Sequence, residues 1–370
     1  MIQNVKIDSN QFLMLVIFFT MGTGILEVPS VLAAETKQDA WITAIIGTGM
    51  GFLVIWFFTT LALWFPQLTY IQINELVYGK WIGKTVSVLF VIMSFIYTSV
   101  LLFQSGNFLN THIMPNTPML ALNMLMAGIM VLGVYLGLET VARSAEIFGA
   151  LFFIIFIVFI ALISPDIHLE SIKPVFETES KTMIKSSFFL ILTSSGNAIV
   201  LLMIFPAFVN DVKQAKKSFL LGNLIGGLII VLITFFCISI LGATKTANEI
   251  YPTYELAKRI SVGKFIERIE EMMALLWILS LYFKLILYFY ASILAIAQIL
   301  NLKDYRPLIM PLGLIATILS LMIYPNILYK QEWDSTTEKS FTLVVAIILP
   351  LLLAIVYGIR RKSLKKELGK

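Results

Sequence analysis

The sequence predicts an all-α integral membrane protein with ten transmembrane helices in a five-plus-five inverted repeat, the first and sixth helices broken. Three observations carry this. Of the 370 residues, 59% are apolar and only 13% charged, too few charges to cover the surface of a soluble domain. The apolar residues fall into ten stretches of membrane length. Two of those stretches are interrupted by small and polar residues at corresponding places.

A helix crosses the hydrocarbon core in about 20 residues. The stretches that satisfy this are 11–33, 42–64, 85–113, 118–138, 145–164, 186–208, 219–241, 272–299, 308–324 and 341–359. The first is a span rather than a cleaved leader: Asp8 precedes an apolar run too long for a signal core, although Val31 to Ala34 mimics a cleavage site. The eighth is one long helix because 265–300 contains neither proline nor glycine. The connections are short and leave no room for a separate catalytic domain, so residues 1–370 form a single membrane domain.

Ten spans place both termini on one side. Lysine and arginine favour the side that holds the termini, most visibly in the basic tail 360–366, so both termini are expected in the cytoplasm. Two outer loops are long, 165–185 and 242–271. Within the second, residues 258–271 mix charged and apolar residues at near-helical spacing, which fits either an interfacial helix over an outer vestibule or a solvated loop.

The spans divide into repeats at 11–164 and 186–359. Five spans per half is an odd number, so the second half enters the membrane from the opposite side. The breaks fall in the first helix of each half. Gly22, Thr23 and Gly24 interrupt the first span; Ser194, Ser195, Gly196 and Asn197 interrupt the sixth. Glycine lowers helix propensity, and serine and asparagine compete for backbone groups. Close helix packing also favours glycine, so a single Gly-x-Gly has a structural explanation. Two matched breaks point instead to exposed backbone at membrane depth. Free N–H groups at a half-helix start suit a carboxylate, and opposing carbonyls suit an ammonium group or a cation. A zwitterionic amino acid meets both, and a small neutral solute would also fit.

Two charged residues fall deep in the spans, Glu27 and Lys284. Isolated charge in hydrocarbon is costly, so each needs a partner. They could form an ion pair that holds two helices together. Alternatively, Lys284 could supply a fixed positive charge, and Glu27 could carry a proton. Tyr97 and Gln104, seven residues apart, share a face of the third span, and Tyr282 flanks Lys284.

Other chemistries find little support. His112 and His168 lie in different loops and form no metal cluster with the lone Cys237, so neither metal nor cofactor is expected. No nucleophile and base converge, which argues against an enzyme. The net charge of +5 resides in loops beside spans, as membrane anchoring requires, and gives no basic face for nucleic acid; membrane lipid is the expected contact.

Gly22-Thr23-Gly24-Ile25-Leu26-Glu27-Val28-Pro29 resembles the Gly-x-Gly-Ile-Leu-x-x-Pro signature of the amino acid/polyamine/organocation transporter superfamily. The length, the short amino terminus and the absence of spans eleven and twelve resemble the B subunit of spore germinant receptors, over nearly the whole chain. The resemblance implies a subunit that binds a small germinant, often an amino acid, and helps trigger spore germination. It also implies A and C partner subunits and a place in the spore inner membrane or the bacterial cell membrane. Carried over by position, it puts a ligand carboxylate at Gly22, Thr23 and Gly24. The ligand's other end would face Ser194, Ser195, Gly196 and Asn197, with selectivity from the third, sixth and eighth spans, where Tyr97 and Tyr282 stand. One departure matters. Some proton-coupled members of the superfamily carry a lysine in the fifth span, and span 145–164 has none. Its absence weakens coupled transport and favours a sensor; a proton-coupled amino acid permease is the alternative reading.

Overall fold

The computed structural model describes residues 6–259 and 269–367. The first span starts at a capping box, in which Asp8 accepts from the Asn10 amide and Gln11 accepts from that of Asp8. Helix α1 (Ser9–Met21) ends at Gly22, and α2 (Gly24–Thr36) resumes after Thr23. A tight turn at Lys37–Asp39 leads into α3 (Ala40–Leu63). A short helix, α4 (Tyr70–Tyr78), follows before α5 (Lys80–Phe108), α6 (Met119–Leu136) and α7 (Leu138–Ile163), which complete the first half.

The sixth span begins as α8 (Ser180–Leu190) and the seventh is α9 (Val212–Phe236). Two short helices, α10 (Ala243–Asn248) and α11 (Pro252–Lys258), lead to α12 (Glu270–Ile299) and α13 (Ile309–Met322). The last span is segmented into α14 (Ile327–Trp333), α15 (Lys339–Thr342) and α16 (Leu349–Glu367), joined by wider π turns at Asp334–Glu338 and Leu343–Ile348.

Among the described residues, eight helical segments are long and apolar enough to cross a bilayer. One of them, Ser9–Leu63, is 55 residues long and reverses at Lys37–Asp39, so it holds two crossings; the shorter apolar Arg306–Met322 adds another. The described residues thus make ten crossings, as the hydropathy pattern predicts. The lipid side is evident from large apolar side chains left uncovered on α6, α7, α13 and α16, among them Leu125, Ile157, Met322 and Ile359.

Inside this belt, α1 packs along α9 through small residues. A methyl group on Gly222 would come within 2.7 Å of Val16, and one on Gly226 within 2.8 Å of Thr20. On the other side of α1, α12 stacks Phe283 on Phe18 at 4.7 Å and sets Tyr288 tilted against Phe19 at 5.1 Å. Helix α12 is tied to α5 by the Ser292–Ser94 hydroxyl bond of 2.9 Å. The broken first span thus lies between α9 and α12, the two helices that frame the site.

Two expectations need correction. The second break is not unwound. The chain stays helical but changes pitch, from α8 to a π turn at Ile191–Gly196 and a 3₁₀ segment at Asn197–Met203. Serine and asparagine hydroxyl and amide groups bend the winding here without a glycine at positive φ to reverse it; of the glycines at the two breaks, Gly22 alone has that conformation, at +30°. The tenth span also starts earlier than 341. Residues 327–340 are polar enough to read as a loop, yet they are helical because their charged face turns inward.

The loop 242–259, expected on the outer side, is not merely solvated. Thr253 donates to the Ile25 carbonyl at 2.8 Å and Ser30 donates to that of Ala247 at 3.3 Å, which fastens the loop onto α2. Of the stretch 258–271 expected to form an interfacial helix, residues 260–268 lie outside the described residues.

Candidate functional site

The site grows from Gly22. Its φ of +30° terminates α1, and its carbonyl, freed from the helix ladder, accepts from Ser280 of α12 at 3.1 Å. Lys284, one turn along α12, lays its stem against the same glycine: a Cβ there would lie 2.2 Å from the lysine Cδ. The ammonium then donates to the Thr193 carbonyl, 3.2 Å away in the π turn of the sixth span. Asn197 donates to that same carbonyl at 3.4 Å. A π turn leaves carbonyls less tightly engaged than an α turn, which is why Thr193 can receive both. Lys284 is 2% exposed and also faces the Phe19 ring at 5.3 Å. One lysine therefore bridges the two irregular segments.

Glu27, on the first turn of α2, does not pair with Lys284. Its carboxylate meets Lys330 of α14 at 3.3 Å and accepts from the Gln104 amide of α5 at 3.1 Å. Lys330 is 5% exposed and binds Asp334 at 2.6 Å. Of the two arrangements open to these charges, the Glu27–Lys284 ion pair is not formed: Glu27 joins a Glu27–Lys330–Asp334 cluster, while Lys284 takes a backbone carbonyl. The reason is reach: the tenth span brings its inward charged face over the start of α2, and Lys284 is already engaged on Gly22 and Thr193.

A small central cavity of about 30 Å³ lies among these groups, lined by Thr23, Glu27, Tyr97, Gln104, Asn197 and Lys284, with Tyr288, Asp334 and Glu338 completing the wall. It is strongly polar for its depth. Gln104 Oε1, Asn197 Oδ1 and the Tyr288 hydroxyl are buried there without a hydrogen-bond partner among the described residues. The volume matches roughly one water molecule's share of liquid. Above it, a cavity of about 260 Å³ is lined by Glu27, Glu35, Phe189, Tyr251, Lys330 and Lys339. Glu27, Phe189 and Asp334 border both cavities, so the buried ion cluster stands where the two meet.

The residues singled out from the sequence divide accordingly. Thr23, Glu27, Tyr97, Asn197 and Lys284 line the central cavity. Gly22 and Gly24 shape its edge. Gly24 lies beside the Ser194 hydroxyl, which is buried and without a partner among the described residues. Ser195 turns away: its hydroxyl bonds Asn223 of α9, and the Asn223 amide reaches Thr20 at 3.3 Å. Gly196 faces Ile191 and Ala346. Tyr282 points toward Gly133 of α6, because two residues along a helix rotate a side chain by about 200° from Lys284. Tyr288, four residues beyond Lys284, shares its face and lines the cavity.

The sequence reading missed Lys330, Asp334 and Glu338. They recur at intervals of four, the spacing of one helical face, and that periodicity was the available signal. Among the described residues, no group of three or more His, Cys, Asp or Glu side chains is arranged to hold a metal ion.

A polar cavity at membrane depth, between a broken first span and a rewound sixth, defines a transporter-fold membrane protein. Two solved structures share the fold. MhsT in complex with L-phenylalanine superposes with a TM-score of 0.66 at 12% identity, over 94% of this chain and 97% of that one. Mhp1, a nucleobase-cation-symport-1 family transporter in a closed conformation with bromovinylhydantoin bound, superposes with 0.67 at 10% identity, over 97% and 80%. The spore germination protein family matches residues 6–328, and the chain belongs to that family. Among its relatives, spore germination protein KB of Bacillus subtilis (strain 168) is 26% identical over 99% of this chain and 98% of its own length. Spore germination protein GerLB of Bacillus cereus is 24% identical over 93% and 92%. The resemblance drawn from the first-span signature thus holds across the chain.

Proposed function

We propose that this chain is the germinant-binding membrane subunit of a spore germinant receptor, and that it recognises a small amino acid between its broken first span and its sixth span. The observation that carries the proposal is the buried polar cavity at the two irregular segments, with three acceptor or hydroxyl groups left without partners among the described residues. Groups so deeply buried are costly to leave unsatisfied, and a ligand with ammonium and carboxylate ends would satisfy them. A carboxylate would meet the start of α2 near Thr23 and Gly24, with Lys284 supplying the fixed positive charge beside it. An ammonium group would meet the carboxylates Glu338 and Asp334. In its present dimensions the central cavity is too small for an amino acid, so binding requires the tenth span and Phe189 to move outward. That movement would carry the signal to larger A and C partner subunits, with the protein in the spore inner membrane and both termini in the cytoplasm. The repeats 11–164 and 186–359 would be the two bodies that shift against each other.

A proton-coupled permease is the second reading, favoured by the transporter fold and by the two cavities that meet at one ion cluster. The deciding experiment reconstitutes the purified chain in liposomes and combines an amino acid binding screen with counterflow of a labelled ligand. Saturable binding without counterflow is expected. Counterflow by this chain alone would favour the permease, and no amino acid binding at any concentration up to millimolar would overturn the proposal.

A further inference from the structure

The outer cavity carries chemistry of its own. Its 260 Å³ corresponds to about nine water volumes, room for an aliphatic amino acid, whereas the central cavity holds about one. Its floor is the Glu27–Lys330–Asp334 cluster, in which the lysine is already committed to two carboxylates. Its sides carry two further charges. Glu35, near the end of α2, accepts from the Ser186 hydroxyl of α8 and makes no ion pair among the described residues. Lys339, at the start of α15, rests over the Phe189 ring at 5.6 Å and likewise makes no ion pair among them. Val31, Ala34 and Ile250 supply apolar wall between these charges.

One carboxylate and one ammonium, neither in an ion pair among the described residues, face one space with apolar wall between them. We propose that the outer cavity is a second binding site that holds a zwitterionic amino acid, its ammonium on Glu35, its carboxylate on Lys339 and its side chain against Val31 and Ile250. A molecule in this position rests directly on Phe189 and the ion cluster, where it is staged for passage to the inner cavity. Both charges are needed for recognition, because each end of the ligand otherwise gives up hydration without a charged partner. The choice of an amino acid as probe rests on the function proposed above; the chemistry of the cavity does not.

Ala34 lines the cavity and is exposed, while the native Cys237 is fully buried, so Ala34→Cys places a single accessible thiol at the site. The test measures labelling of this full-length variant by a membrane-impermeant thiosulfonate, with L-leucine, N-acetyl-L-leucine or L-leucine methyl ester as competitor. L-leucine should slow labelling, and the two derivatives, each missing one charge, should need roughly ten- to hundredfold higher concentration for the same protection. Adding Glu35→Gln should weaken leucine protection and erase its advantage over the N-acetyl form. Adding Lys339→Gln should erase its advantage over the ester. Adding Gly24→Val, which obstructs the inner site, should leave protection in place. Leucine binding by calorimetry with no protection, or protection that survives both charge substitutions, overturns the outer site and leaves the receptor proposal intact. Protection with the expected charge dependence in a protein whose spores ignore every amino acid upholds the outer site and overturns the receptor proposal.

Discussion

Lys284 and Gly22 are fitted to one another: the lysine stem occupies the space that any side chain at position 22 would need, with a built Cβ only 2.2 Å from the lysine Cδ. The glycine is required twice, by its φ of +30° and by this contact. The contact also aims the ammonium past the first break and onto the Thr193 carbonyl of the sixth span. A single close approach thereby joins the two irregular segments around which the cavity forms.

Gly22→Ala should lower stability by about 1–3 kcal/mol, from strain at positive φ and displacement of Lys284. Gly128→Ala, where an added Cβ meets nothing within 4 Å, is the control and should melt like the wild type. Thermal melts of the detergent-solubilised variants decide it, and equal melting of the two variants counts against the fit.

Glu27 and Lys330 should show strong coupling. Lys330→Met alone strands both Glu27 and Asp334 and should cost about 3–5 kcal/mol; Glu27→Gln leaves Lys330 with Asp334 and should cost less, and the double variant should cost less than the two together. The same cycle on Glu27 and Lys284 should give a much smaller coupling, since Lys284 bonds a backbone carbonyl instead. A larger coupling for Lys284 than for Lys330 would refute the pairing.

Gly24→Val should abolish ligand binding while the protein still inserts and folds. An added Cβ would stand 3.0 Å from Ile230 and 3.7 Å from the Ser194 hydroxyl, and the branched side chain would narrow the approach to the α2 backbone. Calorimetric titration with an unchanged affinity would reject a ligand at this turn.

Asn223→Leu should separate stability from binding. Asn223 joins Ser195 and Thr20, so its loss strands two buried hydroxyls and should cost about 1–3 kcal/mol. Because none of the three lines the central cavity, affinity should change little in those molecules that remain folded. A loss of affinity without a drop in melting temperature would place this network in the site.

The sequence was most legible where one physical rule dominates. Hydropathy marks the spans because every crossing backbone must be helical and clad in apolar side chains. Gly22 and Gly24 mark the first break because no nearby solvent can repair a weakened helix there. The second break was legible in place but not in form. Ser194 to Asn197 can bend the ladder toward a π turn or open it, and neighbouring helices decide which. Tyr282 and Tyr288 look alike in sequence, and only the rotation of α12 relative to α1 sets one against α6 and the other in the cavity.

The sequence by itself determined that the chain is an integral membrane bundle with a broken first helix, and that Glu27 and Lys284 had to find partners. Both follow from local free energy: apolar surface, helix propensity and the cost of burying charge are written in short stretches of residues. Which partner each charge takes was decided by tertiary structure alone. Lys330, Asp334 and Glu338 lie some three hundred residues from Glu27 and in a stretch polar enough to pass for a loop. Only the packing of the tenth span against α2 brings that face inward. There the Coulomb attraction of Glu27 falls on Lys330, and Lys284 is left to bridge Gly22 and Thr193.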